Sequence, residues 1–211
     1  MPRPSIVPPS QADLFDASPV RRSAAAAGLP EGFDYRPDLI APGEERALGE
    51  ALAALPFEPF DFFGHKGRRE VIAFGFSYDY GARRMRPAAP VPNVLEPLRR
   101  GVAEAFGGAA EDYAQVLINR YAPGAGVGWH RDRPHFDTVV GVSLLKPCAF
   151  RFRHKEGEGW RRASLTLEPR SAYRMMGPAR WAWEHSVPPV EALRYSITFR
   201  TLKAGAVEPE P

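Results

Sequence analysis

The chain has 211 residues, 44% of them apolar and 25% charged, the balance of a globular protein of about one domain. A single cysteine, Cys148, excludes an intrachain disulfide, and no apolar run approaches the roughly 20 residues that span a bilayer. A cytoplasmic protein with no signal peptide and no membrane partner is therefore expected.

Residues 1–30 are rich in Pro and Ala and read as a disordered tail, as do residues 204–211; residues 31–203 read as one folded domain. Pro42-Gly43-Glu44-Glu45 has the Pro and acids of a helix start. Leu48, Ala51, Leu52 and Leu55 then recur at helical spacing until Pro56. Arg69–Tyr80 predicts one strand with Ile72, Phe74, Phe76 and Tyr78 on one face. A second helix is expected over Leu95–Phe106, ended by Gly107-Gly108. Strands follow at Gln115–Tyr121 and Thr138–Leu145, and a hairpin at Ala149–His154 and Trp160–Leu167. The last three are Ala172–Met176, Trp181–Val187 and Arg194–Thr201. Two helices before many strands predict an α+β, mainly β architecture, whose later strands can close into a double-sheet jelly roll.

The net charge of +3 does not specify a polyanionic partner. Its distribution says more. Between Asp61 and Arg100 lie eight Lys/Arg against four Asp/Glu, and a second basic group runs from Arg151 to Arg162.

Trp129-His130-Arg131-Asp132 places a histidine and a carboxylate two residues apart, on one side of an extended segment. His185 lies 53 residues beyond Asp132 in another predicted strand; His135, beside Pro134, is its rival as a third ligand. Two imidazoles and one carboxylate leave metal positions open, the ligand set of non-haem iron(II) oxygenases.

A second feature is independent of the first. In Arg194–Arg200, Arg194, Ser196, Thr198 and Arg200 share one face and Tyr195, Ile197 and Phe199 the other. Standing alone, such a polar face is simply wet. Beside a metal it offers two guanidiniums, each able to grip a carboxylate with paired hydrogen bonds, about 20 Å of strand apart at most. Leu117, Asn119 and Tyr121 share a face too, and Asn and Tyr add neutral donors.

Together, Asn119-Arg120-Tyr121-Ala122-Pro123-Gly124, His130-Arg131-Asp132, His185 and the RxxxxxR pattern of Arg194–Arg200 resemble the AlkB family of dioxygenases over about residues 35–202. The resemblance implies a double-stranded β-helix (jelly-roll) core with two supporting N-terminal helices. It implies Fe(II) on His130, Asp132 and His185. It implies 2-oxoglutarate on Asn119, Tyr121, Arg194, Ser196 and Arg200, with O2 as the other cosubstrate. The implied reaction turns 2-oxoglutarate into succinate and CO2 while a substrate C–H is hydroxylated; a hydroxylated N-methyl group leaves as formaldehyde. The expected substrate is an alkylated base in DNA or RNA, flipped into the pocket and held by aromatics and phosphate-binding cations. Arg68, Arg69, Phe76, Arg83 and Trp181 are the candidates for those contacts, and the Arg151–Arg162 hairpin a further one. Pro134 stands where well-known repair members carry an acid beside a cationic base, which points away from such a base. A methylated protein or modified tRNA bases are the alternative substrates, and a non-catalytic binding module is the third option. The chain is expected to act as a monomer without an obligate protein partner.

Overall fold

The computed structural model describes residues 28–62, 65–79, 81 and 83–206; residues 1–27 and 207–211, within the expected tails, lie outside the described residues. The chain opens with β1 (Phe33–Arg36), α1 (Pro42–Ala53), β2 (Glu58–Phe62), β3 (His65–Phe74), β4 (Phe76–Asp79) and β5 (Arg84–Pro87). Helix α2 (Glu96–Phe106) leads into β6 (Gln115–Tyr121), β7 (Val127–His130), β8 (Phe136–Leu144) and β9 (Cys148–Glu156). Then come β10 (Gly159–Leu167), β11 (Ala172–Met175), α3 (Gly177–Trp181), β12 (Glu184–Val187) and β13 (Arg194–Leu202). A seven-stranded sheet in the order β1-β11-β8-β13-β6-β3-β2 packs on a four-stranded sheet in the order β10-β9-β12-β7, while β4 and β5 form a separate hairpin. The strand pairs are antiparallel. Two such sheets face to face form the expected jelly roll.

The larger sheet is covered on both sides. On one side, α1 and α2 lay Leu48, Leu52, Leu98, Val102 and Phe106 against Val116, Ile118, Val140, Val142, Ile197 and Phe199. On the other, Phe33, Val139 and Tyr173 meet Phe150, Phe152 and Val187 of the smaller sheet. The helices sit where the apolar period of the sequence puts them. Pro42 occupies the first turn of α1, and Glu44 accepts a 2.7 Å hydrogen bond from the Ala41 N–H, satisfying a donor that a helix start leaves open. Further along α1, Glu45 accepts from the Leu145 N–H at 2.8 Å and so ties the helix to the end of β8.

Two predicted strands are cut short. The strand expected over Arg69–Tyr80 breaks at Gly75, which adopts φ +73° and hands the chain to the β4–β5 hairpin. A Cβ there would sit 2.0 Å from the Ala114 carbonyl oxygen, so only glycine permits the approach. Phe76 and Tyr78 therefore leave the sheet that carries Ile72 and Phe74. The strand expected over Trp181–Val187 begins only at Glu184, because Gly177-Pro178 starts the short helix α3 that contains Trp181. The predicted hairpin is present, its two-residue turn at Gly157-Glu158. The short strands β1, β2, β5 and β7 carry too few residues for their alternation to stand out in the sequence. No helix among the described residues is long and apolar enough to cross a membrane.

Candidate active site between the two sheets

The two histidines meet because β7 and β12 are neighbours. Their register sets His130 directly opposite His185, with ring centroids 4.2 Å apart and Phe150 5.4 Å from His185. The Gly128 carbonyl, 2.9 Å from His130 Nδ1, can only accept, so Nδ1 carries the proton and Nε2 keeps its lone pair. Strand β7 stops at His130, and Asp132 lies in the irregular segment beyond it, just before the turn at Pro134-His135. There the Asp132 carboxylate accepts from Arg200 Nη2 at 2.9 Å through Oδ1 and stands 3.7 Å from His185 Nε2 through Oδ2.

Arg180, only 2% exposed at the end of α3, fixes this turn. It donates to the backbone carbonyls of Asp132 (3.1 Å), Arg133 and Phe136 (2.9 Å).

Burial works against an ionised Asp132, but Arg200, His185, His130 and Arg180 together outweigh it and hold the carboxyl well below the usual carboxylate range. Burial also pulls His185 down to about 3 and lowers His130. Near neutral pH the trio is thus one carboxylate and two neutral imidazoles, the protonation states that bind a divalent ion. Among the described residues no three His, Cys, Asp or Glu side chains close around a single point. Donor chemistry and spacing pull apart here, and the chemistry carries more weight. The backbone register fixes the two histidines, whereas the pairing of Asp132 with Arg200 depends on side-chain torsions.

The inner faces of β6 and β13 complete the pocket. Asn119 stands opposite Ser196, Tyr121 opposite Arg194 and Gln115 opposite Arg200. Arg194 is 1% exposed; its Nη2 donates to Ser143 Oγ at 3.2 Å, while its buried Nε and Nη1 have no hydrogen-bond partner among the described residues. Arg200 donates from Nη1 to Gln115 Oε1 at 3.0 Å, and its Nε likewise has no hydrogen-bond partner among the described residues. Charged donors left unpaired away from water are costly, so each site is suited to an anionic oxygen. Both arginines line the same cavity as His130, Asp132 and His185. The residues present thus fit both a divalent metal and a small dicarboxylate.

Sequence reasoning passed over Tyr173 and Arg180. Tyr173 lies across Gly141 of β8, where an added Cβ would fall 2.4 Å from the ring. The phenol lines the cavity, and burial raises its pKa, so it remains a donor. A glycine inside the Val-rich run of β8 is the one sequence sign that a ring lies there. Arg180 left no local sign, since its partners are backbone carbonyls more than 40 residues away in sequence.

The residues proposed for substrate are scattered. Arg69 lines the cavity, gives Nη1 to Asn119 Oδ1 at 3.1 Å and rests 4.0 Å from the Phe60 ring centroid. Arg69 therefore takes the carbonyl end of Asn119 and leaves the NH2 end for a ligand. Arg68 and Arg83 are exposed. Phe76 packs half-buried against the core between the sheets. Trp181 is 38% exposed under Arg180 and Lys203 and does not line the cavity, while Trp183 is buried against Phe152 and His154. Tyr78 of the β4–β5 hairpin reaches the turn after Asp132, 4.0 Å from the Arg133 guanidinium and 5.3 Å from the His135 ring.

A jelly roll with a carboxylate, two imidazoles and two buried arginines lining one cavity has the donor set that an oxygenase of the 2-oxoglutarate type requires. The family described as the 2OG-Fe(II) oxygenase superfamily matches residues 64–200. The chain belongs to it, and within it to the AlkB family. A bovine protein named alpha-ketoglutarate-dependent dioxygenase alkB homolog 7, mitochondrial, is 34% identical over 179 residues, covering 80% of this chain and 73% of that protein. An Arabidopsis thaliana protein named alkylated DNA repair protein ALKBH8 homolog is 26% identical over 204 residues, covering 85% of this chain. The match spans 57% of the Arabidopsis protein's length. A solved 2OG-Fe(II) oxygenase family structure from Burkholderia pseudomallei shares the fold, with a TM-score of 0.59 at 18% identity over 85% of this chain and 89% of that one. The superfamily this chain belongs to is that of oxygenases described by their use of 2-oxoglutarate and Fe(II).

Proposed function

We propose that the protein oxidatively demethylates alkylated bases in DNA or RNA, with Fe(II) on His130, Asp132 and His185 and 2-oxoglutarate on Asn119, Tyr121, Arg194, Ser196 and Arg200. The observation that carries the ligand assignment is the pair of half-satisfied buried arginines, Arg194 and Arg200, in the cavity that also holds the His/Asp trio. When bound, the metal and cosubstrate supply an O2-derived oxidant for a C–H bond and release succinate and CO2.

The chain's own residues do the positioning. Neutral His130 and His185 offer lone pairs, and ionised Asp132 supplies the one negative charge. Arg194 and Arg200 meet carboxylate charge with N–H donors that no other described residue uses, and Ser196 and Asn119 face each other between them. Phe150, Leu167 and Val187 give the cavity apolar walls that keep water from the oxidant. Arg69, joined to Asn119 and stacked on Phe60, is the cavity residue best placed to meet a nucleotide. The name of the Arabidopsis relative, an alkylated DNA repair protein homolog, supports the nucleic-acid assignment. Pro134, with no carboxylate to offer a cation, supports a neutral methylated base over a cationic one.

Succinate and formaldehyde release across methylated DNA and RNA oligonucleotides, tRNA and methylated peptides tests this. Release with a methylated nucleic acid, abolished in His130→Ala, is expected. Release with peptides alone overturns the substrate class, and succinate formation that survives His130→Ala overturns the metal assignment.

A further inference from the structure

The outer face of the smaller sheet takes no part in the cavity. Residues opposite one another in an antiparallel pair project to the same side. Between β10 and β9 these pairs are Trp160 with Lys155, Arg162 with Arg153 and Ser164 with Arg151. Between β12 and β9 they are Glu184 with Arg153 and Ser186 with Arg151. Phe150, Phe152 and His185 alternate with this set and are buried between the sheets, so the set faces outward.

The outward residues interlock. Arg151 and Arg153 lie 5.1 and 4.7 Å from the Trp129 ring centroid. Arg153 also lies 4.3 Å from the Trp160 ring, and Lys155 Nζ lies 5.6 Å from it. Cations and indoles therefore alternate across the sheet as Arg151, Trp129, Arg153, Trp160, Lys155. Of the outward positions named, Glu184 alone is acidic, and it pairs with Arg153. Arg151 spends its Nε on Ser186 Oγ and Lys155 its ammonium on the Glu158 carbonyl, neither of which cancels charge. Arg162 is exposed, and Trp160 is 37% exposed among these cations.

We propose that this face binds single-stranded nucleic acid, its phosphates on Arg151, Lys155 and Arg162 and a base on Trp160. The proposal rests on the nucleic-acid assignment above and deepens it: the face adds a sequence-independent hold on the strand outside the cavity. Sheet surfaces that bind single strands join aromatic platforms to cations in this way, because every base has a stackable face and every linkage a charge. Alternate cations along β9 stand about 6.6 Å apart, a spacing suited to successive phosphates of an extended strand. A duplex keeps its base faces stacked on one another and gives Trp160 nothing to stack on, so a single strand is the fitting occupant.

The test is fluorescence anisotropy of unmodified 15-nucleotide DNA and RNA strands with the full chain, across a salt series. Wild-type protein is expected to bind. The double variant Lys155→Gln/Arg162→Gln should lose about tenfold in affinity and flatten the log–log salt slope by about 1.4, some 0.7 per phosphate contact in single strands. Trp160→Ala should weaken binding about fivefold or more with the slope unchanged. Lys155→Arg/Arg162→Lys, which keeps the charges, should bind like wild type. Circular dichroism on each variant establishes folding. No binding by wild type at low salt, or an unchanged slope in the double variant, overturns the proposal. So does equal competition by poly-glutamate, which has no base to stack. Succinate formation with a methylated dinucleotide, too short to reach this face, tests the cavity separately. Its failure overturns the substrate assignment and leaves the anisotropy result standing on its own.

Discussion

Replacing Arg194 by methionine separates a ligand-binding arginine from a structural one. Arg194 is almost fully buried and lies over the Tyr121 ring, yet among the described residues its side chain makes one hydrogen bond, to Ser143 Oγ, and Nε and Nη1 have no hydrogen-bond partner. Two charge-assisted hydrogen bonds to a carboxylate at about 1.5 kcal/mol each amount to about 3 kcal/mol, or roughly 150-fold in affinity. Methionine keeps most of the length and removes an under-paired buried charge, so the ligand-free fold should hold or gain stability. In Arg194→Met the 2-oxoglutarate KM, measured by succinate release, should rise at least fiftyfold, and the ligand-free melting temperature should stay level or climb. A KM within threefold of wild type refutes the reasoning. A melting temperature that falls by 10 °C assigns Arg194 to the scaffold instead.

Arg180→Ala strips three backbone carbonyls of the turn after Asp132 of their donor, an expected loss of about 3 kcal/mol and about 6–12 °C in melting temperature. Mn(II) binding by calorimetry should weaken at least tenfold in that variant, and unchanged binding would show that the turn holds Asp132 without Arg180. Gly141→Ala drives a methyl group into the Tyr173 ring and should cost about 1–3 kcal/mol in urea unfolding, an increment that should shrink when measured in a Tyr173→Ala background; a neutral Gly141→Ala removes the close approach. Cys148 is buried, and burial raises its thiol pKa against the opposing effect of Arg194. Alkylation needs the thiolate, so in native protein at pH 8.5 iodoacetamide should label Cys148 far more slowly than in urea, as mass spectrometry would report. Equal rates would place that thiol in water.

Much of the site was legible because its pattern is local. A period of two sorts a strand's residues onto two faces wherever the strand ends up, so the shared face of Arg194, Ser196 and Arg200 and that of Asn119 and Tyr121 followed from spacing alone. Helices α1 and α2 were legible for the same reason, their apolar period and end residues being properties of a few neighbouring positions. Whether the polar face of β13 is wet or buried was not local. It is buried because β13 lies in the middle of the larger sheet, with α1 and α2 on one side and the smaller sheet on the other.

His130 and Asp132 share a short motif, yet the strand that carries the first ends before the second. Arg200 and Arg180, brought from 68 and 48 residues away, hold Asp132 and its turn in place. The break at Gly75 answers the Ala114 carbonyl, and Gly141 answers the Tyr173 ring. The sequence alone thus determined which side chains could serve as metal and carboxylate donors, since a residue's chemistry and its place in a strand period travel with the chain. Tertiary structure alone decided that they share one cavity, which residues hold them there and which cations remain on the outer face, because burial and long-range pairing exist only once the sheets have packed.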